Sequence, residues 1–185
     1  MFREWLKNNN VSDFDFSHQI FPPASDRVFW ESKFDEEFIK EGEKYLNFSW
    51  PLILATDFMV FKNEGNRLKQ ETPFFERRRA LSALVKAEIL EHKGRFLPDI
   101  LNGIFLICEE TYWGVSAHFI GYYGTSAIDK NYYNIPHSKN DYIDLFAAET
   151  GSLIAITHNV LYDELNEFCP EILEYMEYEL ERRIV

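Results

Sequence analysis

The segment from Phe75 to His118 constrains the fold more than any other part of the chain. It holds two strongly apolar stretches separated by Gly94, followed by a short run rich in Glu, Tyr, Trp and His. The first stretch carries two apolar stripes at helical spacing, one of Leu81, Leu84, Val85 and Ile89 and one of Ala80, Ala83, Ala87 and Leu90. A helix with two such stripes is covered on more than one side. The sequence therefore predicts an enclosed helix that ends at Gly94 and a second buried helix opened by Pro98.

Start and stop signals predict helices over most of the remaining chain. The expected starts are Asp35, Pro51, Thr72, Pro98, Asp141 and Pro170, and the expected stops include Gly65 and Gly94. No stretch shows the alternation of apolar and polar residues that is typical of a strand. The predicted fold is all-α, an array of antiparallel helical hairpins. Residues 1–34 are expected to be an irregular N-terminal segment, residues 35–185 a helical domain, and residues 111–140 a long connection of a kind that is often functional.

The helix expected from Asp141 has a second, small-residue stripe besides its apolar one. This stripe consists of Ala148, Gly151, Ser152 and Ala155, and it would let another helix approach closely. The last helix runs to Val185 without a capping signal. We expect either that the natural domain continues beyond Val185 or that a neighbouring subunit covers this edge.

The charge and the cysteines exclude several classes of protein. A formal net charge of -12 argues against a general role in nucleic-acid binding, because phosphate binding requires a basic face. The basic runs Arg77–Arg79 and Arg182–Arg183 are interpreted as solvated helix faces or ion pairs. Two cysteines do not provide a disulfide framework, and Cys108 is predicted to be a small core residue.

Membrane, metal and cofactor signals are weak throughout the sequence. No apolar run approaches the ~20 residues needed to span a membrane. The N-terminal sequence MFREWLKNNN lacks the apolar segment of a signal peptide, which favours a cytoplasmic protein. No His pair has a helical ligand spacing, and the chain has neither a Gly-rich phosphate loop nor a nucleophile elbow. No metal and no cofactor are predicted.

Several sequence blocks occur in an order similar to that of the N-terminal helical region of the heparinase II/III-like polysaccharide lyases. The blocks are Trp50-Pro51 through Gly65-Asn66-Arg67, RRRALSALVKAEILEHKGRF, DILNGIFLICEETYWGVSAH, DYIDLFAAETGSLIAIT and YELERRI. Together they cover most of the chain after residue 45. Each block alone is weakly specific, whereas the order of several is much more specific.

The resemblance implies a partial (α/α) toroid, which full-length members of the family extend with more helices and a β-sandwich. It also implies cleavage of uronic-acid polysaccharides by β-elimination. In that reaction an Asn or His neutralises the substrate carboxylate, and a Tyr, sometimes with a His, moves the protons. The family's Asn-Asn-Trp segment has no counterpart here, since the only Asn run is Asn8–Asn10. The chain is therefore expected to be a fragment that is inactive alone, and full-length relatives are expected to be periplasmic or secreted.

The run that follows Cys108 offers the groups that this chemistry requires. Elimination beside a carboxylate needs a base and stabilisation of the developing charge, and sugar rings need aromatic platforms. His118 is the predicted catalytic residue. The predicted substrate-binding residues are Glu109, Tyr112, Trp113, Tyr122 and Glu149. The structural alternative is that Trp113 packs this run onto the core, that His118 bonds to backbone and that the glutamates are solvated.

Two glutamates lie on apolar stripes, Glu88 between Val85 and Ile89 and Glu149 between Phe146 and Leu153. A buried carboxylate must be paired, hydrogen-bonded or protonated. A structural bond to an Arg, a Tyr or a helix end is favoured for both over a role in a site.

The function that the resemblance implies has two alternatives from other classes. One is a non-catalytic helical module that binds a saccharide or a protein, and the other is a helical scaffold without a small-molecule site. The predicted partners are an acidic polysaccharide or oligosaccharide and a second copy of the chain at the helical edge near Val185.

Overall fold

The computed structural model describes residues 21–119, 134–136 and 143–184 of the chain. These ranges form eight α-helices and one 3₁₀-helix and contain no β-strand, which confirms the all-α prediction. The α-helices are α1 (Arg27–Glu31), α2 (Glu36–Glu43), α3 (Ala55–Glu64), α4 (Leu68–Glu91), α5 (Leu97–Cys108), α6 (Leu145–Val160), α7 (Tyr162–Phe168) and α8 (Glu171–Ile184). The 3₁₀-helix, Ser116–Phe119, follows α5.

Helix α4 is the centre of the fold. It packs against α1, α2, α3, α5 and α6, so the predicted enclosure of this helix is confirmed. The closest approach is at Gly42 of α2, where an added Cβ would overlap the Cβ of Ala87 and lie 3.1 Å from the Ala83 carbonyl oxygen. Small residues on both helices therefore allow α2 to lie directly against α4.

Helices α6 and α8 form the other close pair. A Cβ added at Gly151 would lie 2.8 Å from Cγ1 of Ile184, so the absence of a side chain at this position lets α8 approach α6. This close approach was predicted from the small-residue stripe. The other three members of that stripe are exposed: Ala148, Ser152 and Ala155. The buried face of α6 instead consists of Ala147, Thr150, Gly151, Ile154, Thr157 and Val160.

Two predicted helix starts are wrong, and in both cases a side-chain hydrogen bond fixes the start at another residue. The Asn66 carboxamide oxygen accepts from the N–H of Leu68, so α4 begins before Thr72. The Asp57 carboxylate accepts from the N–H of Leu54, so α3 begins at Ala55 rather than Pro51. Asp144 accepts from Phe146 N–H and caps α6, whereas the predicted start, Asp141, lies outside the described residues.

The stop predicted at Gly94 is wrong, because α4 ends at Glu91 and His92 closes it in the left-handed conformation with φ 54°. Several other predicted boundaries are confirmed. Helix α2 is capped by Asp35, α3 stops at Gly65 in the left-handed conformation with φ 71°, and Pro98 lies in the first turn of α5. The buried Glu88 carboxylate accepts from the N–H groups of Gly94 and Phe96 at 2.7 and 3.1 Å. It therefore binds the start of the next helix, which is the structural role favoured for it.

Two short helices lie where none was predicted. Helix α1 lies within the segment expected to be irregular, where the Arg27 guanidinium donates to the carbonyl oxygens of Ile89 and Leu90 at 2.7 and 2.9 Å. These are the last carbonyls of α4, so Arg27 caps that helix from a distant part of the chain. Helix α7 follows α6 after a bend at Leu161, before Pro170.

Candidate functional site

A buried ion-pair cluster surrounds Glu110, directly after α5. The Glu110 carboxylate lies 3.2 Å from Nη1 of Arg77 and 2.7 Å from Nη2 of Arg78, both on α4. The three side chains are only 5–11% exposed. Burial lowers the pKa of the Arg78 guanidinium, and the charge of Glu110 opposes that shift. Glu110 therefore neutralises charge inside the fold, and the ion-pair interpretation of this basic run is confirmed for Arg77 and Arg78.

The second basic run joins the same cluster from α8. Arg183 donates to the carbonyl oxygens of Cys108 and Glu110 at 3.1 and 2.5 Å, and it pairs with Glu179 at 2.6 Å. Its guanidinium also lies over the Trp113 ring, 4.7 Å from the ring centroid. The end of α5 is thus held between α4 and α8.

Trp113 is a core residue in this structure. Its side chain is 1% exposed, and its indole N–H donates to the Ile107 carbonyl oxygen at 2.7 Å. A ring that is enclosed on all sides offers no face to a sugar. Trp113 therefore packs the run after Cys108 onto the core, as the structural alternative expected. The prediction that Trp113 lines a cleft is wrong.

Two other predicted site residues meet at a small cavity. Glu109 and Tyr112 line a space of about 240 Å³ together with Arg77, Glu110 and Thr111. Apolar side chains close the rest of the wall: Leu52, Ile53, Phe58 and Leu106. Among the described residues, no hydrogen bond uses Nη2 of Arg77. A guanidinium donor, a solvated carboxylate and an aromatic ring in one cavity suit a hydroxylated ligand.

His118 and Asp144 form a second polar constellation. Nδ1 of His118 lies 2.6 Å from Oδ2 of Asp144, a bond to a side chain rather than to the backbone as the structural alternative expected. The imidazole stacks on Phe146 with 5.2 Å between ring centroids and 14° between planes. The side chain of Asp144 is 6% exposed, and its other oxygen caps α6, so the carboxylate is held in place.

The protonation of this pair follows from its geometry. An ionised carboxylate can only accept, so Nδ1 of His118 must carry the shared proton. In the neutral ring Nε2 is then the acceptor. Since the His118 side chain is 33% exposed, the pair can present a positioned proton acceptor to a ligand.

The structure does not bring all the predicted residues together. His118 is not among the residues that line the cavity of Glu109 and Tyr112. Glu149 is exposed on α6, one position away from the buried Thr150, so it does not lie on the buried face as expected. Tyr122 lies outside the described residues.

Sequence reasoning missed Asp144, Arg77 and Glu110 as members of these constellations. An aspartate before the apolar pair Leu145-Phe146 is a recognisable helix cap, so the position of Asp144 could have been predicted. Its pairing with His118 joins residues 26 apart and leaves no local pattern. The same holds for Glu110 and the arginines of α4.

In comparisons with known proteins, no family model matches the chain, and no curated protein sequence matches it. Within the part of the chain that the structure describes, no three His, Cys, Asp or Glu side chains are placed to hold a metal ion. None of the helices described is both long and apolar enough to cross a membrane.

Proposed function

We propose that this chain forms part of a heparinase II/III-like polysaccharide lyase domain that acts on uronic-acid polysaccharides by β-elimination. The observation that carries the proposal is the His118–Asp144 pair, a partly exposed imidazole whose Nδ1 is tied to a buried carboxylate. The ordered sequence blocks that resemble that family and the all-α fold add support.

The pair supplies the proton acceptor that elimination requires. Nε2 of a neutral His118 removes the proton from C5 of the uronate, beside its carboxylate. The electron pair of that C–H bond forms the C4=C5 double bond as the C4–O4 bond breaks, and the leaving oxygen takes up the proton from the imidazolium. Asp144 keeps the ring in the required tautomer and stabilises the imidazolium that forms. Phe146 fixes the plane of the ring by stacking. In this role His118 is the catalytic base and Asp144 is its positioning residue.

The cavity of Glu109 and Tyr112 supplies a place for a neighbouring sugar unit. Helix α3 connects the two constellations, because its Phe58 lines the cavity and the helix packs against the 3₁₀-helix that carries His118. We assign hydroxyl recognition to Glu109 and Arg77 and ring contact to Tyr112. An acidic oligosaccharide that lies along α3 would then reach both.

The finer architecture is part of the same proposal. Helices α4 and α5 pack as one hairpin, and α8 packs on both α5 and α6. Such an arrangement is compatible with an arc of an (α/α) toroid.

The proposal is tested by calorimetric titration of the chain, which is expected to be inactive alone, with oligouronides prepared from heparan sulfate, alginate and hyaluronan. We expect at least one of them to bind and His118→Asn to weaken that binding, with far-UV circular dichroism unchanged. His158→Asn is the matched control, since His158 also contacts a carboxylate, Glu177 at 3.1 Å, on another surface. No binding of any of the three, or equal affinities for the two variants, would overturn the assignment.

A non-catalytic saccharide-binding module is the second candidate. It is favoured by the separation of the Glu109 cavity from His118, because that cavity alone can bind a sugar without any base. This candidate expects oligouronide binding by calorimetry that Glu109→Gln weakens and His118→Asn leaves unchanged. Dimerisation of the chain through α8, where Tyr178 is 60% exposed, would appear as a concentration-dependent mass in sedimentation.

A further inference from the structure

A second cavity, far more apolar than the first, lies between α1, α2, α4 and α6. It has a volume of about 400 Å³, within the range of small-molecule sites. Its wall consists mainly of the apolar side chains Phe21, Trp30, Phe38, Val85, Ile89, Leu90, Leu153, Ile156 and Val160. Two polar groups in the wall are already bonded, since the indole N–H of Trp30 donates to Pro23 and the Thr157 hydroxyl donates to Leu153. The interior therefore suits a hydrocarbon.

The cavity is an elongated groove rather than a sphere. Along α4 it is lined from Ser82 to Leu90, and along α6 from Leu153 to Val160. At a rise of 1.5 Å per residue each wall is about 10–12 Å long. Three large apolar side chains at this groove stay about 40% exposed, namely Phe21, Phe38 and Ile156. Covering them would remove apolar surface from water, which favours an occupant.

Two lysines line the groove as well, Lys33 and Lys86. Nζ of Lys86 lies 5.6 Å from the centroid of the Phe38 ring, and Nζ of Lys33 lies 5.7 Å from that of Phe29. Neither ammonium has a carboxylate partner among the residues that the structure describes. In a chain with a net charge of -12, two cations at one apolar groove, neither with a counterion within the described ranges, favour an anionic head group.

We propose that this groove binds a medium-chain alkyl carboxylate, a free fatty acid. The tail lies between α4 and α6, where the wall is apolar, and the head group is held by Lys33 and Lys86. Charge complementarity selects this occupant over a neutral hydrocarbon, and walls about 10–12 Å long match a medium-chain tail. The inference is independent of the proposed lyase activity, since none of these residues lines the cavity of Glu109 and none belongs to the His118–Asp144 pair.

The test is calorimetric titration of the full chain with decanoate below its micelle concentration, followed by decanol. We expect saturable binding of one decanoate, and binding of decanol that is weaker by about threefold to tenfold. The double variant Lys33→Met, Lys86→Met should bind decanoate about threefold to tenfold more weakly, because two exposed ion pairs are lost. Lys93→Met is the control, since this exposed lysine lies outside the groove and should leave binding unchanged.

The remaining outcomes each decide against the proposal. No binding of decanoate would mean that the groove is closed by another part of this chain or has no occupant. Equal affinity for decanol, or equal loss in Lys93→Met, would refute the head-group assignment. A dimer that decanoate does not dissociate, with no binding of decanoate, would identify a second copy of the chain as the occupant.

Discussion

Glu110→Gln tests the role of the buried ion-pair cluster, because it removes one charge and changes little else in shape. The substitution leaves Arg77 and Arg78 charged within the fold, each with fewer acceptors. Arg77 keeps its bonds to the carbonyl oxygens of Pro51 and Leu106, and Arg78 keeps its bonds to Phe74 and Thr150. Removing one partner of a buried pair costs about 3–5 kcal/mol. Since Gln retains one oxygen acceptor, we expect the free energy of unfolding to fall by about 3 kcal/mol, the lower end of that range.

That loss is large compared with the whole stability of such a domain, about 5–15 kcal/mol. For a chain of this size it corresponds to a fall in Tm of roughly 6–12 °C. Urea unfolding followed by circular dichroism, with a thermal scan in parallel, measures both quantities. Glu109→Gln is the matched control, because Glu109 is the exposed neighbour and has no ion pair among the described residues. We expect that variant to remain within about 0.5 kcal/mol of the parent chain.

The reasoning fails if Glu110→Gln is as stable as Glu109→Gln. A double-mutant cycle with Arg78→Met gives a second measure of the same interaction. Since the two side chains are in direct contact, we expect a coupling free energy of about 0.5–3 kcal/mol. Additive losses would mean that the cluster does not act as a unit.

Two further predictions concern cysteine reactivity and pH. Burial raises the pKa of the Cys108 thiol to about 12, so at neutral pH only Cys169, which is partly exposed, should react rapidly with a thiol reagent. Mass spectrometry after a short pulse should find the label on Cys169, and fast labelling of Cys108 would contradict the structure. The hydrogen bond from Arg95 holds the pKa of Glu91 below its usual value of 4.5. Glu91→Gln should therefore lose stability at pH 7. Its difference from the parent should shrink as the pH falls below about 4.5, because the unfolded parent then takes up a proton at Glu91 that the folded parent does not bind until the pH falls through its lowered pKa. A difference that is constant with pH would contradict this.

The features of the fold that depend on residues close together in the sequence could be predicted. The two apolar stripes predicted the enclosure of α4, and Gly65 and Pro98 marked an end and a start because their backbone preferences act locally. The start of α4 was missed because Asn66 caps it upstream of Pro73, which the helix then accommodates. Helix α1 was missed because Arg27 is held by carbonyl groups 62 and 63 residues away.

For the candidate site, the sequence indicated residue types but not the pairings that distant helices bring about. The residue types after Cys108 indicated Glu109 and His118 as polar groups near a surface, whereas Tyr112 is buried beside Phe58. They could not indicate which of two adjacent glutamates is buried, since that depends on the arginines that α4 brings opposite Glu110. The burial of Trp113 likewise depends on α8, because Arg183 covers its ring.

The most direct test of the proposed base is the tautomer of neutral His118, observed by ¹⁵N NMR at a pH above the titration of the ring that the same spectra record. We predict a protonated Nδ1, bonded to Asp144, and an unprotonated Nε2 whose signal shifts when an oligouronide is added. A proton on Nε2, or an Nε2 signal that does not respond to any uronide, would contradict the account.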